Sequence, residues 1–397
     1  MHQSRNNDNI ELTCDQVRQM TIETFTRHLN LTVNGYNFSA EDIWNVAASA
    51  AAQGQSIESA ANQLEESPAP STVRLYLRSK LVDIMTIAEL EYACNQALVD
   101  NLPPGILGRC HKVAIDLTFI PYHGQAAQDP NEISRGKARS GTTHFHCYAT
   151  AYVIKRHKRV TLAFTYVQAN DTLVQILERI LIRLRNLGIH LKRLYLDKQF
   201  YCIQVINYFQ TQYPQQEVII PVIIRGKQGG TRALLRGRKS YSTTYTMRNP
   251  KYGEATYRIA LVCKYSKGRY KRSGIKWFAY VLLGNIRMPL LHVYEEYRLR
   301  FGIESTYRLM NKVRIRTSSR NPGLRLIFVS IALSLVNIWV FLKWTYVSYP
   351  RRGGRDVKSE LFPLTMFKQF LLEAIKAIYG AVTSIYLSRA VPENAKT

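Results

Sequence analysis

Two aspartates of this chain each follow a short apolar run, and they constrain the fold more than any other feature. Asp116 ends the run Val113–Ile115, and Asp197 ends the run Leu194–Leu196. Both runs have the length and composition of buried strands. A carboxylate at the end of a buried strand is costly unless a cation compensates it. The sequence therefore predicts an α/β fold in which both aspartates meet positive charge.

A third carboxylate, Glu304, lies in a segment with helical spacing. At 100° per residue, one stripe of this helix carries Tyr297, Arg300, Glu304, Arg308 and Asn311. Two strand aspartates and one helix glutamate are the ligands that a divalent-metal phosphoryl-transfer site needs. The arginines around Glu304 are typical of a track for DNA phosphates, and a salt-bridged surface face is the alternative.

The positive charge of the chain is unevenly distributed. The whole chain carries +26, yet residues 1–105 hold 6 lysines and arginines against 13 acids. The segment Arg225–Arg287 has 16 lysines and arginines and a single acid, Glu254. This distribution indicates a polyanionic partner that binds the middle and C-terminal parts, most often nucleic acid. An acidic membrane surface is the alternative.

Cysteine spacing and hydropathy limit the other classes. The 6 cysteines are scattered without a Cys-x2-Cys pair, which indicates reduced thiols in a cytoplasmic protein and no zinc site. The N-terminus lacks the apolar region of a signal peptide. Leu326–Trp344 is long and apolar enough to span a membrane. Because Ser330, Ser334 and Asn337 interrupt it, a buried core helix is favoured.

Residues 1–105 are predicted to form an all-α domain. Within it, Ser56–Leu64 and Ser71–Arg78 resemble a helix-turn-helix, with each serine as an N-cap. Arg74 and Arg78 are four residues apart, so they share a face that could contact DNA phosphates. Because this region is acidic overall, a packing or dimerisation module is the alternative.

The order of elements changes after the linker at residues 101–105. Three strands, a helix that Asp171 is expected to cap, a strand, a helix and a strand follow. This is the order of a ribonuclease H-like core, a mixed five-stranded sheet in which the first and fourth strands are neighbours. The expected divisions are residues 106–225 for the first part of the core, 226–286 for a basic β-rich insertion, 287–345 for the second part, and 346–397 for a basic linker and C-terminal helix.

Three motifs together resemble the DDE transposases of insertion sequences, in the halobacterial-type branch with a β-rich insertion and a Tyr-Arg-Glu-Lys motif. They are VAIDLTFIPYHG around Asp116, LYLDKQFY around Asp197, and YRLRFGIESTYRLMNK with Tyr297, Arg300 and Glu304. The resemblance covers Val113–Trp344, and the motifs occur in the order that the family requires. One position departs from the pattern: Asn311 replaces the family lysine, and Lys312 follows it.

The resemblance implies roles for particular residues. Asp116, Asp197 and Glu304 would bind two Mg²⁺ ions, for which Mn²⁺ could substitute. Tyr297 and Arg300 would contact phosphates near the scissile bond, and Arg308 and Lys312 would bind DNA further along the helix. Trp277 in the insertion could stack on a flipped base. A strand aromatic in the core is the alternative for Trp277.

The implied activity is DNA transposition. The enzyme would cut double-stranded DNA at the terminal inverted repeats of its own element and join the 3′-hydroxyls to target DNA. It would act as a homodimer or higher assembly in the cytoplasm, on the nucleoid and without a membrane. A ribonuclease H-like nuclease without strand transfer, or an inactive DNA-binding protein from a decayed element, are the alternatives.

Overall fold

The computed structural model describes residues 11–34, 37–125, 132–226, 230–267, 273–352 and 354–385. The remaining residues, including 386–397 of the expected C-terminal segment, lie outside the described part of the chain. The protein is a mixed α/β structure in which helices from both ends of the chain pack together beside one large sheet.

The N-terminal region is helical, as predicted. Its α-helices are α1 (Cys14–His28), α2 (Ala40–Gln53), α3 (Ile57–Ala61), α4 (Pro70–Leu77) and α5 (Ile87–Val99). Ser56 caps α3 by accepting from the backbone N–H of Ser59, as expected. Ser71 does not cap α4, because Pro70 already occupies the first turn and Ala69 is the N-cap.

One mixed sheet forms the centre of the protein. Its strands are β1 (Cys110–Pro121), β2 (Ser134–Arg139), β3 (Thr142–Val153), β4 (Thr161–Val167), β5 (His190–Leu196), β6 (Val218–Pro221), β7 (Tyr241–Asn249), β8 (Gly253–Lys267) and β9 (Ser273–Leu283). The spatial order is β2-β3-β1-β5-β6-β9-β8-β7, and β4 pairs with β3. β1 and β5 are parallel, as are β5 and β6, and the other pairs are antiparallel.

The connections between these strands differ in detail from the sequence predictions. β2 is a strand that the predicted order of elements did not include. After β4 comes α6 (Leu173–Asn186), and after β5 comes α7 (Ile203–Gln212). Thr172, rather than Asp171, caps α6, because Thr172 and Gln175 form a capping box. Asp171 instead pairs with Arg179 at 2.6 Å.

The basic segment after β6 adds strands to the central sheet. β9 pairs with β6 from Val218 opposite Leu283 to Pro221 opposite Tyr280. β8 and β7 then extend the sheet beyond β9 as an antiparallel ribbon. β7, β8 and β9 therefore belong to the same hydrogen-bonded sheet as β5, the strand that ends just before Asp197.

The helices that follow the sheet are α8 (Leu290–Arg298), α9 (Gly302–Lys312) and α10 (Pro322–Tyr346). A short hairpin of β10 (Ser348–Arg351) and β11 (Gly354–Val357) leads to α11 (Leu364–Tyr379). A 3₁₀ turn at Leu299–Phe301 separates α8 from α9, where one continuous helix was expected. The 3₁₀ turn has three residues per turn, so the predicted stripe does not continue across it.

α10 is the central helix of the all-helical part. It is the one helix within the described residues that is long and apolar enough to cross a membrane, but 89% of its most apolar window is buried inside the protein. α5, α1 and α2 contact it, and α11 packs on α1 and α2. This burial confirms the prediction of a core helix.

Candidate active site

Asp116 and Asp197 lie side by side at the centre of the sheet. The parallel register of β1 and β5 places Ile115 opposite Leu196, and the aspartates are the next residues in each strand direction. The predicted adjacency of the first and fourth strands of the core is thus confirmed. Asp116 itself lies within β1, which continues to Pro121 through its pairing with β3.

Arg300 joins the two aspartates. Its Nη1 donates to Oδ2 of Asp116 at 2.9 Å, and its Nη2 donates to Oδ1 of Asp197. Only 4% of Arg300 is exposed, and Asp116 is also buried, whereas Asp197 is partly exposed at the edge of this ion-pair triad. The sequence led us to expect Arg300 on DNA phosphates, whereas in the structure its guanidinium is engaged by carboxylates of the protein itself.

Tyr297 fixes the position of Arg300. The hydroxyl of Tyr297 accepts from Nε of Arg300 at 2.8 Å and donates to the carbonyl oxygen of Leu196 at 3.1 Å. Leu196 precedes Asp197, so the 3₁₀ turn is anchored to the end of β5. Tyr297 is buried, and in this arrangement it orients a side chain of the site.

The surroundings of Asp116 disfavour the charged form of its carboxyl group. Burial raises the pKa of Asp116 to about 7, against the opposing effect of the Arg300 charge. The charges of Asp197 and Glu304 also raise this pKa, so all three carboxylates interact across the site.

Glu304 is the one predicted ligand that stands apart from the aspartates. It lies in the first turn of α9 and is exposed, because the 3₁₀ turn rotates α9 relative to α8. In the described part of the chain, no three His, Cys, Asp or Glu side chains come close enough together to hold a metal ion. The predicted three-carboxylate cluster is therefore not assembled in this structure.

The aspartate pair by itself fits a cation. Oδ2 of Asp116 and Oδ1 of Asp197 both face one positive group, the guanidinium of Arg300. Hard carboxylate oxygens are also the donors that Mg²⁺ prefers. The two carboxylate oxygens are of a suitable type, and they face the same point, so a divalent ion could be held between the two side chains.

Two residues near the site, Tyr307 and Glu296, were missed from the sequence. The hydroxyl of Tyr307 donates to the backbone oxygen of Asp116 at 3.1 Å and bonds Thr150 at 2.7 Å. Glu296 pairs with Lys112 at 2.6 Å and with Arg193 at 2.9 Å, which ties α8 to β1 and β5. Glu296 is one helical turn before Arg300. That spacing was the sequence feature that could have indicated that Glu296 lies near the site.

The other predicted residues of α9 lie on its exposed side. Arg308 is exposed, and its nearest polar partner is Oγ of Ser305 at 3.1 Å. Lys312 is exposed at the end of the helix. Asn311, which departs from the family pattern, is exposed and accepts from Nε of Arg314 at 3.3 Å. None of these contacts reaches the aspartates.

Trp277 lies on β9 in a packed environment. Its ring meets Tyr241 edge-on, with 6.3 Å between the ring centroids. It is half-buried against the main hydrophobic core. These contacts fit the strand-aromatic alternative, whereas a role in base stacking stays a prediction.

Arg74 and Arg78 lie away from the aspartates, in the helical region. Both line a cavity of about 680 Å³ between α4 and the segment before α10. Arg74 pairs with Glu58, and Arg78 lies 3.6 Å from Asp83. Because both arginines are largely exposed, these ion pairs are weak and could be exchanged for phosphate contacts.

No protein-family model matches the sequence, and no curated protein matches it. Among solved structures, the chain is similar to a piggyBac transposase in a synaptic complex with hairpin DNA. The two share 10% identity with a TM-score of 0.49, and the match covers 92% of this chain and 79% of that chain.

Proposed function

We propose that this protein is a DNA transposase that cleaves the ends of an insertion sequence and joins the 3′-hydroxyls to target DNA. The observation that carries the proposal is the pair Asp116 and Asp197, which lie side by side on parallel strands and share one buried cation. The strand order β4-β3-β1-β5-β6 also agrees with a ribonuclease H-like core. The net charge of +26 supports a nucleic-acid substrate.

Asp116 and Asp197 would hold Mg²⁺, with Glu304 as the third carboxylate of a two-ion site. Bound Mg²⁺ would activate the attacking hydroxyl or water and neutralise the leaving oxygen of the phosphodiester. Mn²⁺ could substitute because it accepts the same oxygen donors. This assignment requires Glu304 to move towards the aspartates from its exposed position on α9.

Arg300 and Tyr297 have a positioning role in this proposal. Arg300 neutralises the aspartates in the present structure, and Tyr297 holds its guanidinium at the end of β5. If a divalent ion takes over this neutralisation, the guanidinium becomes free to bind a DNA phosphate. Arg308, Lys312, Arg74, Arg78 and Trp277 remain proposed DNA contacts. The partners would be double-stranded terminal repeats and target DNA, bound by a dimer or higher assembly in the cytoplasm.

Strand transfer in vitro tests this function. Purified full-length protein would be incubated with Mg²⁺ and labelled duplex DNA that carries the sequences flanking its gene. Asp197→Asn removes one ligand with little change in shape, and Glu23→Ala removes an exposed acid on α1 as the control. We expect joined products from the wild type and from Glu23→Ala, and none from Asp197→Asn.

Other outcomes would contradict the proposal in distinguishable ways. Cleavage without joined products would favour a nuclease. DNA binding without cleavage in Mg²⁺ or Mn²⁺ would favour a DNA-binding protein from a decayed element. Joining that survives in Asp197→Asn would remove Asp197 from the chemistry.

A further inference from the structure

A second basic cavity lies beside the C-terminal end of β1, apart from the aspartate pair. Its volume is about 540 Å³. Three arginines line it, namely Arg316, Arg320 and Arg325. The phenol of Tyr122 and the hydroxyl side chain of Thr317 also line it. This composition offers several hydrogen-bond donors and strong positive charge to one small volume.

Two arginines at or near this cavity are buried without compensating acids. Arg325 is 8% exposed and Arg314 is 9% exposed. Among the described residues, no carboxylate forms an ion pair with Arg314, Arg316 or Arg325. Burial, with the charges of Arg316 and Arg325, lowers the pKa of Arg314 to about 10. A buried guanidinium without a counter-charge is costly, so an anion bound beside these arginines would be stabilised.

One residue that lines the same cavity, Tyr122, has a buried hydroxyl without a hydrogen-bond partner among the described residues. Nε2 of His146, whose ring lies 5.2 Å from that of Tyr122, is also buried without a partner in this part of the chain. Because buried polar groups are almost always paired, a missing partner is expected at this position.

The cavity lies on the same face of the sheet as the catalytic carboxylate. Asp116 and Tyr122 are six residues apart along β1 and its extension, so their side chains point to the same side. At about 3.3 Å per residue, their separation is roughly 20 Å. A DNA strand that enters the aspartate site could therefore extend along β1 to the cavity.

The segment that carries these arginines is held in place by the helical region. The backbone N–H of Arg316 donates to the carbonyl oxygen of Gln55 at 2.9 Å. Arg316 also lines the cavity that contains Arg74 and Arg78. Arg316 therefore belongs to both cavities, and it connects the basic surface at the end of β1 with the basic surface at α4.

We propose that the cavity formed by Tyr122, Arg316 and Arg325 binds a backbone phosphate of the DNA strand that leaves the aspartate site. The inference rests on the proposed function for the identity of the strand, and it adds contacts from Arg316 and Arg325, which lie outside the three motifs. The phosphate would neutralise the buried arginines and accept from the hydroxyl of Tyr122. It would contribute to affinity for any sequence, since phosphate contacts carry no base information.

Equilibrium DNA binding without divalent metal tests this site independently of catalysis. A labelled duplex oligonucleotide would be titrated with full-length protein in EDTA at several salt concentrations. Arg316→Gln removes an exposed charge and leaves the buried core untouched. We expect roughly a five- to tenfold loss of affinity and a decrease of about one in the slope of log K against log salt.

Two variants separate recognition from folding. Tyr122→Phe keeps the buried ring and removes only the orphaned hydroxyl, so we expect weaker DNA binding with unchanged or higher thermal stability. Arg185→Gln is the matched control, because Arg185 is an exposed arginine on α6 that contacts Tyr213 at 3.0 Å. Its affinity and salt slope should equal those of the wild type.

The outcomes distinguish this inference from the proposed function. If Arg316→Gln and Tyr122→Phe bind DNA as the wild type does, the phosphate site is wrong even where strand transfer is observed. If both variants bind weakly but the wild type neither cleaves nor joins DNA, the phosphate site stands and the transposase function fails. A wild type that binds no DNA overturns both.

Discussion

At the scale of single residues, Arg300 supplies the positive charge that compensates both aspartates. Its removal would leave two adjacent carboxylates without their buried counter-charge, which costs about 3–5 kcal/mol in comparable ion pairs. We expect Arg300→Ala to lower the melting temperature in EDTA. We also expect Mg²⁺ to recover more stability in this variant than in the wild type, because the ion can neutralise the same two oxygens.

Thermal unfolding in EDTA and in Mg²⁺ measures this difference for both proteins. The double variant Arg300→Ala with Asp197→Asn is the control, since it lacks one of the oxygens that would hold the ion. Its response to Mg²⁺ should be the smallest. Equal stabilisation of wild type and Arg300→Ala by Mg²⁺ would contradict a cation site between the aspartates.

His146 makes the stability of the protein sensitive to acid. Burial, with the charge of Arg325, lowers the pKa of His146 to about 3. The unfolded chain therefore binds a proton between pH 6.5 and pH 3 that the folded chain does not, and stability falls as the pH drops through this window. At about 1.36 kcal/mol per pH unit, this residue accounts for about 3 kcal/mol between about pH 6.5 and pH 4.

His146→Gln removes this titration, so its free energy of unfolding should fall less between about pH 6.5 and pH 4. Urea unfolding at three pH values in this range measures the change. His292→Gln, at an exposed position on α8, is the control and should follow the wild type. A decline with pH that is as steep in His146→Gln as in the wild type would show that other groups dominate acid unfolding.

At the scale of elements, α10 depends on one polar side chain. The amide of Asn337 accepts from the N–H of Thr161 at 3.0 Å and donates to the carbonyl oxygens of Leu98 and Thr161, each at 2.8 Å. Asn337 thus joins α10 to the end of α5 and to β4. The sequence showed Asn337 as an interruption of an apolar helix, and its partners became visible only in the structure.

Asn337→Leu should destabilise the protein by about 3 kcal/mol or more, because it leaves three buried backbone groups unpaired. Ser334→Ala, one turn earlier on the same helix, is the matched control. The hydroxyl of Ser334 is buried without a partner among the described residues, so its removal should be neutral or stabilising. Chemical unfolding of both variants gives the comparison, and equal stability of Asn337→Leu and the wild type would contradict the assigned bonds.

The break between α8 and α9 shows what periodicity could not predict. The spacing from Tyr297 to Asn311 correctly indicated helices, and Arg300 and Glu304 were expected on one stripe. The 3₁₀ turn buries Arg300 and leaves Glu304 exposed. Such a turn is set by tertiary contacts, in this protein the bonds of Arg300 to two aspartates distant in sequence, and these contacts leave no periodic signal.

At the scale of the whole molecule, the pairing of β1 with β5 could be predicted, because it follows from the order of elements. The packing partners of the helices could not. Every residue of Ile43–Ala52 in α2 is buried, although the sequence shows only an alanine-rich helix. Helix α11, which lies more than 300 residues further along the chain, packs on α2. An amphipathic face predicts that one side of a helix is buried, but it does not identify the element that covers that side.

The distance along the chain between Asp116 and Arg300 has a consequence for protein synthesis. The hydrogen bond between them spans 184 residues, and the one from Arg300 to Asp197 spans 103. A chain grows from its N-terminus, so the ribosome releases both aspartates long before their counter-charge. We therefore expect this site to form only in nearly complete chains, and prematurely terminated translation products to carry two acidic strands but no assembled centre.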